Sequence, residues 1–167
     1  NVVWQVQSVP DYARMVAPYV RQALADRRRL IYLRFGKHSP LLAEGLAHRT
    51  VTLDASAGFE RFATTVHACI AQEGPGAFYV FDCLTDLLDF WHSDLMIGNF
   101  FKVTCPFLFR LDTVAYFALL RGAHTYDTIA RIRETTQLLL DVYAVEGDLY
   151  IHPLKVWERY SPTMFFP

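Results

Sequence analysis

The chain has 167 residues, of which 53% are hydrophobic and 15% aromatic, and its 16 basic residues are balanced by 17 acidic ones. This composition excludes a disordered chain, because so many apolar residues offset the entropy of ordering. The near-zero net charge argues against a nucleic-acid binder held by bulk charge. Apolar runs are all interrupted before 18 residues, so the sequence predicts no transmembrane helix.

Short apolar runs alternate with longer amphipathic segments along the chain. Apolar and β-branched runs predict strands at residues 2–6, 30–35, 51–54, 78–82 and 113–120. Apolar residues at helical spacing predict helices at residues 10–25, 58–72, 84–101 and 125–134, with a kink or break at Pro18. Residues 138–145 and 149–157 are predicted to form a hairpin around Gly147.

This alternation indicates βαβ units, and therefore an α/β fold with a mostly parallel sheet and an antiparallel C-terminal hairpin. We expect the strands that contain Val3 and Val80 to be central and adjacent. The length fits one domain over residues 1–167. Because the chain starts on Asn1 and ends without a polar tail, we expect this domain to be part of a longer polypeptide.

The cysteines and histidines bear on location and on metal binding. Cys69, Cys83 and Cys105 are odd in number and lack C-x-x-C pairing, which favours a reduced, cytoplasmic chain. The six histidines show neither H-x-x-x-H nor H-x-H spacing, so we predict no metal site.

The run FYVFDCLTDLL at residues 78–88 is the most informative motif. Four apolar residues are followed by Asp82, which begins a D-x-L-T pattern at residues 82–85. This run resembles the Walker B strand of RecA-like ATPases of the circadian-clock type. This resemblance implies a three-layer RecA-like fold of the P-loop NTPase type. In an active member, the aspartate at this position helps hold Mg²⁺ through water.

The phosphate loop of such an ATPase is missing. A working loop reads G-x-x-x-x-G-K-[ST], in which backbone amides and a lysine bind the phosphates. Here the first strand runs into QSVPDY at residues 7–12, with neither glycine nor lysine. Ser8 and Asp11 instead fit a capping box, in which Ser8 accepts from the Asp11 amide and Asp11 reaches back to the Ser8 amide. A self-capped helix is incompatible with the usual triphosphate cradle.

A second departure follows the strand at 30–35. The clock-type ATPases place acidic residues there to orient water, whereas this chain has GKHSP at residues 36–40. The resemblance therefore implies a degenerate member that keeps the fold without ordinary ATP hydrolysis. ATP and Mg²⁺ are not expected as cofactors, and no residue is predicted to be catalytic.

Further runs at residues 99–101, 103–106, 111–117 and 152–157 are similar to an N-terminal domain of proteins like phosphoenolpyruvate synthase and pyruvate phosphate dikinase. This similarity implies a non-catalytic binding, regulatory or scaffolding domain in a parent protein of the dikinase type. The alternative is an ATP-binding or ATPase domain with an unconventional phosphate site.

The residues predicted to belong to a vestigial nucleotide site are Ser8, Asp82, Thr85 and Asp86. Each also has a structural interpretation: Asp82 as a strand-end carboxylate that caps the next helix, and Thr85 and Asp86 as first-turn caps. The cluster at residues 27–29 is interpreted as cations at a helix C-terminus, the alternative being a phosphate site.

The expected partners are other domains of the same polypeptide or a second copy of the chain, with neither nucleic acid nor membrane. The observation behind this expectation is the crowding of aromatic residues in one half of the sequence. These residues are Trp91, Phe100, Phe101, Phe107, Phe109, Phe165 and Phe166. A purely aromatic core is the alternative explanation.

Overall fold

A computed structural model describes residues 1–43, 45–46 and 48–158 of the chain. The strands are β1 Val2–Val6, β2 Leu30–Arg34, β3 Arg49–Thr52, β4 Phe78–Cys83, β5 Val114–Leu120, β6 Leu138–Val145 and β7 Asp148–Val156. The α-helices are α1 Val9–Ala25, α2 Phe59–Glu73, α3 Leu88–Trp91, α4 Asp94–Arg110 and α5 Tyr126–Thr135. Short 3₁₀ turns occupy Ala55–Ala57 and Leu84–Leu87.

The described strands form one seven-stranded sheet in the order β3-β2-β4-β5-β1-β6-β7. All neighbours are parallel except β6 and β7, which pair as the predicted antiparallel hairpin. The α/β class and the mostly parallel sheet are therefore confirmed.

The expected adjacency of the strands containing Val3 and Val80 is wrong. Both strands lie inside the sheet, but β5 separates them, since Val80 pairs with Tyr116 and Val3 pairs with Phe117. The reason is that β5 buries side chains on both of its faces and can therefore occupy the interior of the sheet.

The predicted helix at residues 84–101 is not continuous. It starts as a 3₁₀ turn and the short helix α3, and it breaks at His92, whose φ of 51° lies in the left-handed region. The chain restarts at Asp94 and stays helical to Arg110, well beyond the predicted end and through Pro106. Helix α1 continues through Pro18, so of the two predicted alternatives, a kink or a break, the break is wrong.

Helices cover both faces of the sheet. Helix α1 packs with Tyr12 and Val16 against a cluster that includes Trp4 and Tyr32. The opposite face carries a larger cluster to which α2, α4 and α5 contribute, and Phe62 lies at its centre. The ring of Phe62 makes edge-to-face contacts with Phe35, Trp91 and Phe100, an arrangement that aromatic pairs prefer.

Most of the aromatic residues considered as an interface belong to this core. Trp91, Phe100 and Phe101 are buried, whereas Phe109 is 46% exposed and contacts Trp157. Phe165 and Phe166 lie outside the described residues. The aromatic core therefore explains why Trp91, Phe100 and Phe101 crowd this part of the sequence. That the domain contacts other domains or a second copy of the chain stays a prediction.

Candidate functional site

The four residues of the predicted nucleotide site lie at the carboxyl edge of the parallel sheet. Ser8 follows β1, Asp82 lies near the end of β4, and Thr85 and Asp86 belong to the turn after β4. Open α/β sheets bind their ligands at this edge. The four residues divide into three small groups: the start of α1, a cluster around Asp82 and Asp86, and a chain of hydrogen bonds from Thr85.

Helix α1 is capped by its own sequence. Ser8 has extended backbone angles, and its Oγ accepts a hydrogen bond from the Asp11 amide at 3.3 Å. The same hydroxyl donates to Asp11 Oδ2 at 2.7 Å. The predicted cap by Ser8 is confirmed. The return bond differs from the prediction, because Asp11 accepts from the Ser8 hydroxyl rather than from its amide.

The cap places the Asp11 carboxylate at the N-terminus of α1, where the predicted RecA-like fold would have its phosphate loop. Helix N-terminal amides attract anions, and Asp11 already supplies one there. Pro10 lies in the first turn and removes one amide donor. The start of α1 is therefore occupied by side chains of this chain itself.

Asp82 is completely buried, and its carboxylate is engaged by donors from the end of β2. Its Oδ2 accepts from the amides of Phe35 at 2.9 Å and Gly36 at 2.8 Å, and its Oδ1 accepts from the hydroxyl of Tyr32. His38 Nε2 lies 3.6 Å from Oδ1. Because a carboxylate has about four acceptor sites, these contacts use most of its capacity. Asp82 thus ties the ends of β2 and β4 together.

Asp86 joins this cluster through His38, whose Nε2 lies 3.3 Å from Asp86 Oδ2. Burial raises the pKa of Asp86 above its ordinary value, the charge of His38 lowers it, and the charge of Asp82 adds to the rise. The approach depends on Gly36, because a Cβ there would lie 2.8 Å from the His38 ring and would overlap Asp86 Oδ2. The sequence marks Gly36 only as the end of a strand.

The loop that follows β2 also carries Lys37, the one lysine or arginine in the GKHSP segment. Its Nζ lies 3.0 Å from Asp89 Oδ2, and both side chains are mostly exposed. The ammonium group of Lys37 is therefore paired at the surface with Asp89. Such exposed pairs contribute little to stability.

Thr85 belongs to a hydrogen-bonded chain that sequence reasoning missed. Its Oγ lies 2.7 Å from His124 Nε2, and His124 Nδ1 lies 2.5 Å from Asp94 Oδ1. Because Nδ1 faces a carboxylate, we assign a proton to this nitrogen, which donates to Asp94 Oδ1. The carboxylate of Asp94 also accepts hydrogen bonds from the amide and the hydroxyl of Thr125, at 2.8 Å and 2.6 Å. No spacing in the sequence signals this contact.

The connectivity from carboxylate to imidazole to hydroxyl matches that of a nucleophile triad, but its surroundings favour a structural role. The amide of Leu120 donates to the Thr85 Oγ at 2.9 Å, so the hydroxyl is fixed by the backbone of β5 as well as by His124. Burial raises the pKa of Asp94, but hydrogen bonds from Thr125 and His124 outweigh it and hold that pKa below its ordinary value. These hydrogen bonds connect the turn after β4, the segment after β5 and the start of α4 at the carboxyl edge of the sheet.

Within residues 1–43, 45–46 and 48–158, no group of three or more His, Cys, Asp or Glu side chains is arranged to hold a metal ion. The same residues include no helix that is both long and apolar enough to cross a bilayer. Comparison with protein-family models and with curated proteins gives no match for this sequence.

Proposed function

We propose that the chain is a degenerate RecA-like domain that no longer hydrolyses ATP. It serves as a binding, regulatory or scaffolding domain of a protein similar to phosphoenolpyruvate synthase or pyruvate phosphate dikinase. The observation that carries this proposal is the closed start of α1, where Ser8 and Asp11 occupy the position of a phosphate loop.

The state of Asp82 supports the same conclusion. A Walker B aspartate needs a free oxygen to hold a Mg²⁺-bound water. Asp82 has no exposed surface, and its carboxylate already accepts from the Tyr32 hydroxyl in β2 and from two backbone amides just after β2. Freeing Oδ2 would leave the buried amide of Phe35 without an acceptor, which costs about 1–3 kcal/mol.

The test is calorimetric titration with Mg-ATP, Mg-ADP and phosphoenolpyruvate, together with an assay of phosphate release from ATP. We expect no phosphate release above a heat-denatured control and no nucleotide binding that depends on Asp82. Micromolar Mg-ATP binding that is lost in Asp82→Ala would overturn the proposal in favour of an ATPase with an unconventional phosphate site. The circular dichroism spectrum of that variant at the titration temperature must first match that of the wild type, which shows that it is folded under those conditions.

A further inference from the structure

A cavity of about 380 Å³ opens at the amino edge of the sheet, opposite the closed start of α1. Five charged or titratable side chains line it: Arg28, Arg29, His48, Arg49 and Glu73. They come from the ends of α1 and α2 and from the starts of β2 and β3. We propose that this cavity, the amino-edge pocket, binds a small oxyanion with two or more negative charges, such as a phosphorylated metabolite.

The amino-edge pocket has a surplus of positive charge. Three guanidinium groups face a single carboxylate, so Glu73 leaves two of the three positive charges uncompensated. This surplus is local, because the whole chain has a net charge of −1. Arg28 forms no ion pair within the described part of the chain, and it packs over the ring of Phe78 at 5.5 Å.

The arginines are held in place before any ligand arrives. Arg29 donates to the carbonyl oxygens of Glu73 and of Pro75, the second at 2.7 Å. The Glu73 carboxylate, whose side chain is 12% exposed, bridges Arg29 and Arg49. Both arginine side chains remain about half exposed toward the opening. Such preorganisation lowers the entropy that binding would otherwise cost.

The backbone at the end of α1 directs Arg28 and Arg29 toward the pocket. Arg27 has a φ of 52°, and its amide bonds to Leu24 while the amide of Arg28 bonds to Ala23. This is the double hydrogen bond of a Schellman turn, which reverses the chain sharply after the helix. Stabilisation of the end of α2 explains the carbonyl contacts of Arg29 and the ion pair of Arg49 with Glu73, but it leaves the charge of Arg28 without that role.

The chemistry of the lining selects the ligand. Guanidinium groups present five N–H donors in a planar fork, which matches the oxygens of phosphate or carboxylate groups. Arg29 uses two of these donors on carbonyl oxygens and keeps others for a ligand. The pocket is shallow and open to solvent, so it suits a small charged ligand that guanidinium groups bind from one side. The shared chemistry is a phosphoryl group, whether a nucleotide or a smaller ester carries it.

Calorimetric titration with inorganic pyrophosphate at low ionic strength tests the amino-edge pocket. We expect saturable binding with a submillimolar Kd, and at least tenfold weaker binding in Arg28→Gln and in Arg49→Gln. Arg133→Gln, which removes an exposed arginine from α5, is the matched control and should bind like the wild type. Raising the salt concentration should weaken binding, because it screens exposed charges.

Separate titrations with ADP and with glycerol 3-phosphate distinguish a nucleotide from a smaller phosphate ester. Arg28→Gln breaks no ion pair of the described fold, so it reports on binding even if Arg49→Gln destabilises the domain. Absence of binding at millimolar pyrophosphate, or equal affinity in Arg28→Gln and Arg133→Gln, would overturn the inference. The amino-edge pocket lies at the opposite edge of the sheet from the cap at Ser8, so this inference does not depend on the proposed loss of ATP hydrolysis. We therefore expect pyrophosphate binding to be unchanged in Ser8→Ala.

Discussion

Replacing Ser8 by alanine removes the cap at the start of α1 and should destabilise the domain. The hydroxyl makes two hydrogen bonds, one with the Asp11 amide at 3.3 Å and one with the Asp11 carboxylate at 2.7 Å. Removing an N-cap side chain costs about 0.5–2 kcal/mol. Because the first bond is long, its loss alone favours a cost in the lower half of that range. The second bond is made to a charged carboxylate and is stronger, so its loss increases the expected cost. We therefore expect a loss of about 1 kcal/mol.

Urea unfolding followed by circular dichroism measures this loss, and for a domain of this size about 1 kcal/mol corresponds to roughly 2–4 °C in Tm. Ser8→Gly is the matched control and should lose only a few tenths of a kcal/mol, because glycine tolerates the N-cap position. The reasoning fails if Ser8→Ala unfolds at the wild-type midpoint. It also fails if phosphate stabilises the wild type but not Ser8→Ala, because the helix end would then be an anion site.

Three further changes test the surroundings of the site. Gly36→Ala should lower the free energy of unfolding in urea by about 1–3 kcal/mol, because its Cβ would overlap Asp86 and the His38 ring. Gly98→Ala in α4 is the control: its Cβ meets only ordinary contacts at 3.4 Å or more, so this change should be neutral or stabilising. Equal effects of the two substitutions would refute the crowding at Gly36. Asp86→Asn should become more stable relative to the wild type as the pH rises above about 4. Because the pKa of Asp86 is raised in the folded state, its protonated carboxyl stabilises the wild-type fold fully below the unfolded-state pKa, and this stabilisation is lost as the carboxyl ionises in the folded protein. A difference in Tm between the two proteins that is constant from pH 4 to 8 would contradict this prediction. The three cysteines are buried and should react with a thiol reagent only after unfolding. Burial also raises the pKa of the Cys83 thiol to about 12, which keeps it in the unreactive thiol form. Rapid labelling of the native protein would contradict the burial of these cysteines.

The extent of most elements could be predicted from the sequence, because apolar periodicity follows burial directly. The strands beginning at Val2 and Phe78, the hairpin and the cap at Ser8 all lie where local pattern and capping chemistry place them. The order of the strands could not be predicted, because it depends on which distant strand fills the space between β1 and β4.

The candidate site was accessible to sequence reasoning only in part. The position of Asp82 at a strand end follows from its motif, but its partners come from residues about 47 positions away, after β2. The contact between His124 and Asp94 likewise joins two loops that no local pattern connects. Such contacts arise from tertiary packing, and only the folded chain reveals them.

A crystal structure grown with phosphate and a non-hydrolysable Mg-ATP analogue tests the central claim most directly. The account predicts that Ser8 Oγ stays in contact with Asp11 and that the amides of residues 8–12 bind no anion. Asp82 should keep its bonds to Phe35 and Gly36, with no Mg²⁺ beside it. A phosphate or a nucleotide held by the amides of residues 8–12 would contradict the claim that this domain has lost its phosphate loop.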